Sequence, residues 1–411
     1  MVDYRVLVND GLDAAGITMM QEAGFEVDAE KKADLEECIG DYDALIVRSS
    51  TSVTDQVIGA GARGKLKIIT RAGVGVDNVD LEAATVFGVV VKNTPESTTT
   101  SVAELVMAQV LNLARHVPQL NDQLHKRYWS KKFFKGNTVA GKKLGIIGCG
   151  NIGNAVASRA AAFGMTVLGA DIDPAAVRSK FPNFERYMSL KPFDEVISTS
   201  DYLTIHVGGP RMIVGPEQIA MMKQGAALLN LDRGNKVDYN ALETALKGGK
   251  LSGAAIDAFV EEPTGDGTYD VRFAGVPNVI LTPHIGGSTL EGQEACGVDA
   301  ATTTIDYLRG GDVSNALNAE SVVEVHDEKA SYHRLFVFHE DVPGVFGKVG
   351  TVLGKHKVNI GYEVKSRFTQ REKGETSHTG AAMAVYLLYD RPLAAAIQEI
   401  NQVEGVIWAK E

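Results

Sequence analysis

The sequence predicts an α/β chain, with doubly wound parallel sheets through most of its length and a smaller α+β module at the C-terminal end. Three observations predict this. Short apolar runs alternate with helical patterns as far as about residue 287, as βαβ units require. One of these units, Lys143 to Asp171 (KLGIIGCGNIGNAVASRAAAFGMTVLGAD), sets three glycines at fixed spacing between a strand and a helix. From residue 332 the order of elements changes to βαββαβ, the ferredoxin-like arrangement.

Composition narrows the functional classes. With 411 residues, 45% hydrophobic and 23% charged, the chain is a soluble globular protein long enough for two or three domains. A formal net charge of −11 argues against nucleic acid and anionic membrane as partners, so an anionic substrate must be drawn by local arginines. Cys38, Cys149 and Cys296 are scattered and form no C-x-x-C, which points to reduced thiols and no metal site. The opening MVDYRVLVND has neither a basic region nor an apolar core, and no apolar run approaches about 18 residues. The expectation is a cytoplasmic protein without a membrane segment.

Up to about residue 95, strands are expected at Tyr4–Val8, Ala44–Val47, Lys67–Thr70 and Val89–Val91, with helices near Asp13–Ala23, Asp55–Ala62 and Leu81–Phe87. Arg48, beside Ser49, and Arg71, near Gly73, stand just after strands, where open parallel sheets bind their ligands. They are a candidate anion site. Ser101–Arg115 is apolar on one face and reads as a linking helix; the run HKRYWSKKFFKG after it reads as an exposed loop or subunit contact.

The unit at 143–171 has a physical reason for each part. Leu144–Ile147 is the strand, and Gly148, Gly150 and Gly153 follow as G-x-G-x-x-G. The first glycine permits the tight turn, the second lets a pyrophosphate approach the backbone, and the third lets helix lie close on strand. A helix over Asn154–Phe163 presents its N-terminal N–H groups and dipole to the phosphates. Asp171, 18 residues after the last glycine, can accept both ribose hydroxyls and repels a 2′-phosphate. The cofactor expected is therefore NAD rather than NADP.

Further strands are expected at Tyr202–Val207, Ala226–Leu231, Gly253–Ala258 and Val279–Thr282. The loops after the last three carry Asn230-Leu231-Asp232-Arg233-Gly234, Asp257 through Glu262-Pro263, and Thr282-Pro283-His284-Ile285-Gly286-Gly287. Arg233, Glu262 and His284 thus share one level of a nucleotide-binding sheet and are the catalytic candidates. A titratable imidazole suits the proton transfer that accompanies hydride loss from a 2-hydroxy acid. A hydrogen-bonded glutamate would orient it, and an arginine can hold a carboxylate bidentately. A helix is expected over Thr289–Leu308, then a polar linker from Asn315 to Ala330, and helices over Gly344–Lys355 and Ala394–Asn401. Gln370–Thr379 reads as a flexible hairpin excursion.

RAGVGVDNVDLEAAT, GCGNIG, the N-x-x-RG loop, the E-E-P loop and TPHIGGST, in that order, resemble the D-2-hydroxyacid dehydrogenase family. Together with HEDVPGVFGKVG…VNIG they resemble its phosphoglycerate dehydrogenases with a C-terminal ACT domain. The resemblance implies a Rossmann-type NAD-binding domain (98–287) inserted in a flavodoxin-like substrate domain (1–97 and 288–315). A linker (316–331) and an ACT-like regulatory domain (332–411) would follow. It implies NAD-dependent oxidation of 3-phospho-D-glycerate to 3-phosphooxypyruvate, in the phosphorylated route to L-serine, by a homodimer or homotetramer. Arg233, Glu262 and His284 match the family's catalytic triad. Asn151 and Ile152 match the pyrophosphate turn, and Asp171 the ribose acid. Leu231, Asp232, Asp257, Gly286 and Gly287, with Arg233 and His284, fall on the nicotinamide side. Arg48, Ser49 and Arg71 match substrate-holding positions. Two other readings of the scaffold are a reductase of hydroxypyruvate, glyoxylate or 2-oxoglutarate, and a non-catalytic NAD(H)-sensing corepressor-like protein.

The sequence departs from the family pattern at several points. Asp232 replaces the usual Ala or Ser, and the expectation is that it points away from Arg233. Thr98 stands where many phosphoglycerate dehydrogenases have Asn, and His206-Val207-Gly208-Gly209-Pro210 lacks the usual Pro directly after the strand and is shortened. Among the effector positions, His339 and Asn359 match while Asp341 replaces Asn. An acid there would repel a serine carboxylate, so weak or absent serine feedback is expected.

Overall fold

The computed structural model describes residues 4–131, 135–263, 265, 267–323, 333–372, 375–389 and 391–411. It divides into two compact units, Met1–Ser97 with Gln293–Glu411, and Thr98–Gly292. No helix of the described residues is long and apolar enough to cross a membrane.

The first unit holds two sheets. Strands β1 (Arg5–Val8), β2 (Glu26–Asp28), β3 (Ala44–Val47), β4 (Ile68–Arg71) and β5 (Val90–Asn93) form a parallel sheet ordered β2-β1-β3-β4-β5. That is the flavodoxin-like order, and β3 is buried along its whole length, as central parallel strands are. The edge strand β2 has no sequence prediction behind it: three residues, two of them acidic, carry no strand pattern, and pairing with β1 makes it.

The nucleotide-type unit contains β6 (Lys143–Ile147), β7 (Thr166–Ala170), β8 (Ser189–Leu190), β9 (Tyr202–Ile205), β10 (Ala226–Asn230), β11 (Leu251–Ile256) and β12 (Val279–Leu281). Their order, β12-β11-β10-β9-β6-β7-β8, is parallel throughout and reverses direction between β6 and β9. A crevice at the carboxyl ends of those two strands is where such sheets take a dinucleotide. The helix Thr99–Arg115 buries Val102, Val106 and Val110 in this unit, so the expected linking helix is a core helix. Beyond it Tyr128 and Trp129 are exposed. The following Lys132, Phe133 and Phe134 lie outside the described residues.

The C-terminal sheet comprises β13 (Ala319–Val323), β14 (His333–Glu340), β15 (Ile360–Glu372), β16 (Glu375–Leu388) and β17 (Val406–Lys410), antiparallel in the order β13-β15-β16-β14-β17. Without β13 this is the ferredoxin-like arrangement, with helices Val345–Lys355 and Ala394–Ile400 completing it. One expectation is corrected here. The polar segment expected as a linker contains β13, because the long strand β15 offers an edge that it completes from Ala319↔Phe368 onward; the rest of that segment, from residue 324, lies outside the described residues. The hairpin expected at Gln370–Thr379 is present as the ends of β15 and β16, which pair out to Glu372↔Glu375.

The C-terminal sheet also belongs to the first compact unit rather than standing apart. Val6, Val8 and Ile46 of the first sheet, Tyr307 and Leu308 of the helix Leu290–Gly310, and Phe336, Phe338 and Phe368 of the C-terminal sheet form one core. Trp408 Nε1 donates to the Phe87 carbonyl at 3.0 Å, and Lys410 Nζ to that of Leu66 at 2.8 Å. The polarity of the connecting sequence gives no sign of this docking, which side chains far apart in the chain produce.

Candidate active site

The fingerprint turn has the form a dinucleotide needs. Gly148 takes a positive φ of 89°, and a Cβ there would sit 2.1 Å from the His206 carbonyl oxygen. A Cβ on Gly153 would lie 2.0 Å from the Gly148 oxygen, so the helix approaches the strand as closely as glycine allows. Around Gly150, by contrast, a Cβ would meet nothing within 4 Å, which leaves the backbone open to a ligand. The helix begins at Asn151, earlier than the sequence suggests, and runs to Ala162 with Gly150 as its N-cap and no side chain capping its first turn. Those N–H groups and the helix dipole face the turn. Asn151 stands in this first turn, and Ile152 lies partly buried against the core. Asp171 follows β7; its Oδ2 accepts from Cys149 N at 2.7 Å and its Oδ1 from Asp173 N at 2.9 Å. Each oxygen keeps a lone pair for a ribose hydroxyl. These residues fit NAD: a cradle for the pyrophosphate and a fixed carboxylate for the ribose. Cys149 is buried, its thiol pushed up to about 12 by that burial and then by the charge of Asp171. It is a protonated packing group rather than a nucleophile.

At the ends of β10, β11 and β12 the structure brings the catalytic candidates together. His284 Nδ1 and Glu262 Oε2 lie 2.6 Å apart, and Glu262 Oε1 accepts the Phe259 N–H at 2.8 Å. Burial of Glu262 works against its ionisation. The hydrogen bonds from His284 and Phe259, with the charges of His284 and Arg233, nevertheless hold the carboxyl below its ordinary value. With Nδ1 engaged, Nε2 is the nitrogen available to a substrate. Arg233 follows β10 with its carbonyl held by Asn230 Nδ2 at 2.9 Å and its own Nη1 on the Asp232 carbonyl at 2.9 Å. Gly234 next to it has no room for a side chain, since a Cβ would lie 2.1 Å from the Phe259 carbonyl carbon. The arginine loop and the glutamate loop therefore touch through backbone.

Several predicted residues turn out to hold the site's frame. Asp257 is 1% exposed and accepts three hydrogen bonds: Thr282 Oγ1 at 2.6 Å, Ile285 N at 3.0 Å and Gly286 N at 2.9 Å. Three of the roughly four acceptor positions of a carboxylate are thus used on the loop that carries His284. Gly287 abuts Thr98: a Cβ would lie 2.9 Å from Thr98 Cγ2. Leu231 is buried in the core. Asp232 Oδ2 accepts the Val207 N–H at 3.1 Å, turned toward the loop after β9.

Arg48 and Arg71 stand at the carboxyl ends of β3 and β4 of the first sheet, with Ser49 exposed beside Arg48. The residue that shapes this loop is one the sequence does not advertise. Asp10 accepts from Arg48 N at 2.8 Å, Ser50 Oγ at 2.7 Å, and Thr51 through both N at 3.0 Å and Oγ1 at 2.5 Å. Its partial burial is outweighed by these bonds, which keep its carboxyl below the usual value. In the C-terminal sheet His339 is buried, edge-on to Phe346 at 4.8 Å, with Nδ1 on the Glu340 carbonyl at 2.6 Å. Asp341 pairs with Arg367 Nε at 2.6 Å, while the Asn359 carbonyl accepts from Tyr389 N at 3.0 Å. Asp341, just after β14, therefore meets a cation carried by β15.

Residues 107–286 match the family model described as D-isomer specific 2-hydroxyacid dehydrogenase, NAD binding domain. The chain is 41% identical over 77% of its length to a D-3-phosphoglycerate dehydrogenase of Methanocaldococcus jannaschii, of which it spans 60%. It is 38% identical over 99% of its length to one of Synechocystis, of which it spans 71%. Among solved structures, the TT0316 protein of Thermus thermophilus matches with a TM-score of 0.67 and 30% identity, covering 76% of this chain and 99% of that one.

Proposed function

We propose, from the premise that this chain belongs to the D-isomer specific 2-hydroxyacid dehydrogenases, that it oxidises 3-phospho-D-glycerate to 3-phosphooxypyruvate with NAD. This is the first step of the phosphorylated route to L-serine. The reaction class rests on one observation, the hydrogen-bonded His284–Glu262 pair facing the loop of Arg233 at the strand ends of a dinucleotide sheet. The names of the relatives supply the substrate.

His284 Nε2 takes the proton from the substrate's C2 hydroxyl, and the imidazolium so formed is stabilised by Glu262 across the 2.6 Å contact. Arg233 holds the substrate carboxylate and polarises the C2 oxygen. The nicotinamide, when bound, supplies the acceptor for the hydride from C2. Gly148, Gly150, Asn151, Ile152, Gly153 and Asp171 hold its pyrophosphate and ribose. Leu231, Asp232, Asp257, Gly286 and Gly287 line or frame the nicotinamide side. Arg48, Ser49 and Arg71 hold the phosphate, a group a small oxoacid lacks. The protein works in the cytoplasm as a homodimer or homotetramer, with the C-terminal sheet as its ACT-like regulatory part.

The test is initial NADH formation with 3-phospho-D-glycerate, D-glycerate and 2-hydroxyglutarate, for the wild type and for Arg48→Ala. A preference for the phosphorylated acid that Arg48→Ala selectively removes supports this reading. Equal or better turnover of the unphosphorylated acids would reassign the chain to a general 2-hydroxyacid dehydrogenase.

A further inference from the structure

We infer that Lys236 is a positioning residue for Arg233, fastening the arginine's loop to the loop that follows β9. The inference rests on the reading above in which Arg233 holds the substrate carboxylate. Lys236 is fully buried (0% exposed) three residues after Arg233. A buried ammonium is costly unless its donors are satisfied. This one donates to the carbonyls of Gly208 at 3.1 Å, of Gly209, and of Arg211 at 3.4 Å. Three N–H donors thus face three main-chain acceptors of one short loop.

The rest of the segment repeats the connection. The Lys236 carbonyl accepts from Ile213 N at 2.9 Å and Val214 N at 3.0 Å. Asn235 Nδ2 donates to the Pro210 carbonyl at 3.1 Å, and Asp232 Oδ2 accepts from Val207 N at 3.1 Å. Residues on both sides of Arg233 are therefore tied to the same neighbouring loop. That loop has two glycines at its centre. Gly208-Gly209 carries no side chains, Gly209 adopts a φ of 80°, and a Cβ on either glycine would meet nothing within 4 Å. Its carbonyls converge on Lys236, and its N–H groups reach Lys236 and Asp232. The shortened loop noted in the sequence, without the usual Pro directly after the strand, and the lysine after R-G-N are two halves of one device. A site built on loops needs such support, because a misplacement of about 1 Å can cost on the order of a hundredfold in rate.

The experiment compares Lys236→Met, which keeps the stem and deletes the donors, with Arg233→Ala and the double variant. The readouts are kcat/KM for the hydroxy acid, NADH affinity by fluorescence, and amide exchange of Ile213 and Val214. Expected for Lys236→Met are a kcat/KM lower by roughly 10–100-fold, NADH affinity within about twofold, and faster exchange at the two amides. In the Arg233→Ala background the same change should cost less than about twofold, as coupled residues do. Should Lys236→Met fail to fold, the exposed Asn235→Ala provides the same cycle, with a loss of about two- to fivefold that vanishes without Arg233. Equal losses with and without Arg233, or a fall in NADH affinity matching that in kcat/KM, would overturn the positioning role alone. Full activity of Arg233→Ala would overturn the site reading and this inference with it.

Discussion

Glu262→Gln separates charge and proton placement from shape. In the native pair Oε1 accepts the Phe259 N–H at 2.8 Å, and Oε2 faces His284 Nδ1 at 2.6 Å, so both carboxylate oxygens act as acceptors. A glutamine can keep only one of them. If its oxygen stays on Phe259, its amide donates to Nδ1, and the remaining imidazole proton is forced onto Nε2, the nitrogen that must receive the substrate proton. If the amide flips, two donors meet at Phe259, a loss of about 1–3 kcal/mol. Either way the imidazolium also loses its counter-charge. General base catalysis contributes about 10²–10⁴-fold, so kcat should fall by that factor, roughly 3–5 kcal/mol of barrier. The hydroxy-acid KM and the NADH affinity should change little. The assay is steady-state NADH formation, with binding followed separately by NADH fluorescence. Retention of kcat within about threefold would refute the tautomer argument and the role of His284 as base. The acid side supplies a second check. Glu262 is held below its ordinary value of 4.5, so its contribution is complete above that pH and is lost only as the pH falls through the lowered value. Loss of activity through Glu262 protonation should therefore begin below pH 4.5.

Replacing Asp171 by Ala removes the acceptor for the ribose hydroxyls; at about 1.5–3 kcal/mol for hydrogen bonds to a charged group, NADH affinity should drop about 10–100-fold while NADPH affinity holds or rises, by fluorescence titration. Serine at millimolar level should leave the rate unchanged, since Asp341 presents an acid, already paired with Arg367, to any incoming carboxylate; strong inhibition in the NADH assay would refute this. Burial, then the charge of Lys67, pushes Lys410 from 10.5 down to about 7. The unfolded chain therefore holds a proton that the folded chain lacks between those values, and stability rises with pH across that window. Calorimetric Tm should climb from about pH 7 towards pH 9 in the wild type and climb less in Lys410→Met.

What is legible in the sequence follows from periodicity and from local turn chemistry. The strands of both parallel sheets, the three fingerprint glycines and Asp171 can be read because each is fixed by neighbours within a few residues. Arg233, Glu262 and His284 can be read because strand ends in a parallel sheet share one level. The rest depends on partners distant in the chain. Glu26–Asp28 and Ala319–Val323 become strands only through the edges that receive them. Asp10 and Lys236 look like surface charges in the sequence, and only their hydrogen bonds identify them as supports of loops. The sequence suggests a cofactor contact for Asp257, yet most of its acceptor capacity goes to the loop of His284. Nor does the sequence show that His284 itself adopts a φ of 53°. That left-handed backbone is unfavourable for a residue with a side chain, and bonds from His284 N to the carbonyls of Asp257 at 2.8 Å and Thr282 at 3.0 Å hold it there.

The shared core of the first unit decides how the C-terminal sheet can influence the rest of that unit. Phe336, Phe338, Phe368, Met383, Val385 and Leu387 are all buried in the cluster that also contains Val6, Val8, Ile46 and Ile68 of the first sheet. At about 1.5–3 kcal/mol per large apolar side chain, these contacts far exceed what one surface ion pair contributes. Charged groups reinforce the same seam: Lys67, fully buried and paired with Asp43 at 2.6 Å, sits 5.2 Å from the ring centre of Phe336, and Lys410 binds the carbonyls of Ala62, Gly64 and Leu66. A sheet joined in this way does not behave as a bead on a string. Phe336 and Phe338 of β14 share one core with Ile46 and Ile68, on the strands that lead to Arg48 and Arg71. By the same contacts, a chain cut after residue 315 would expose the apolar face of the first sheet and lose stability.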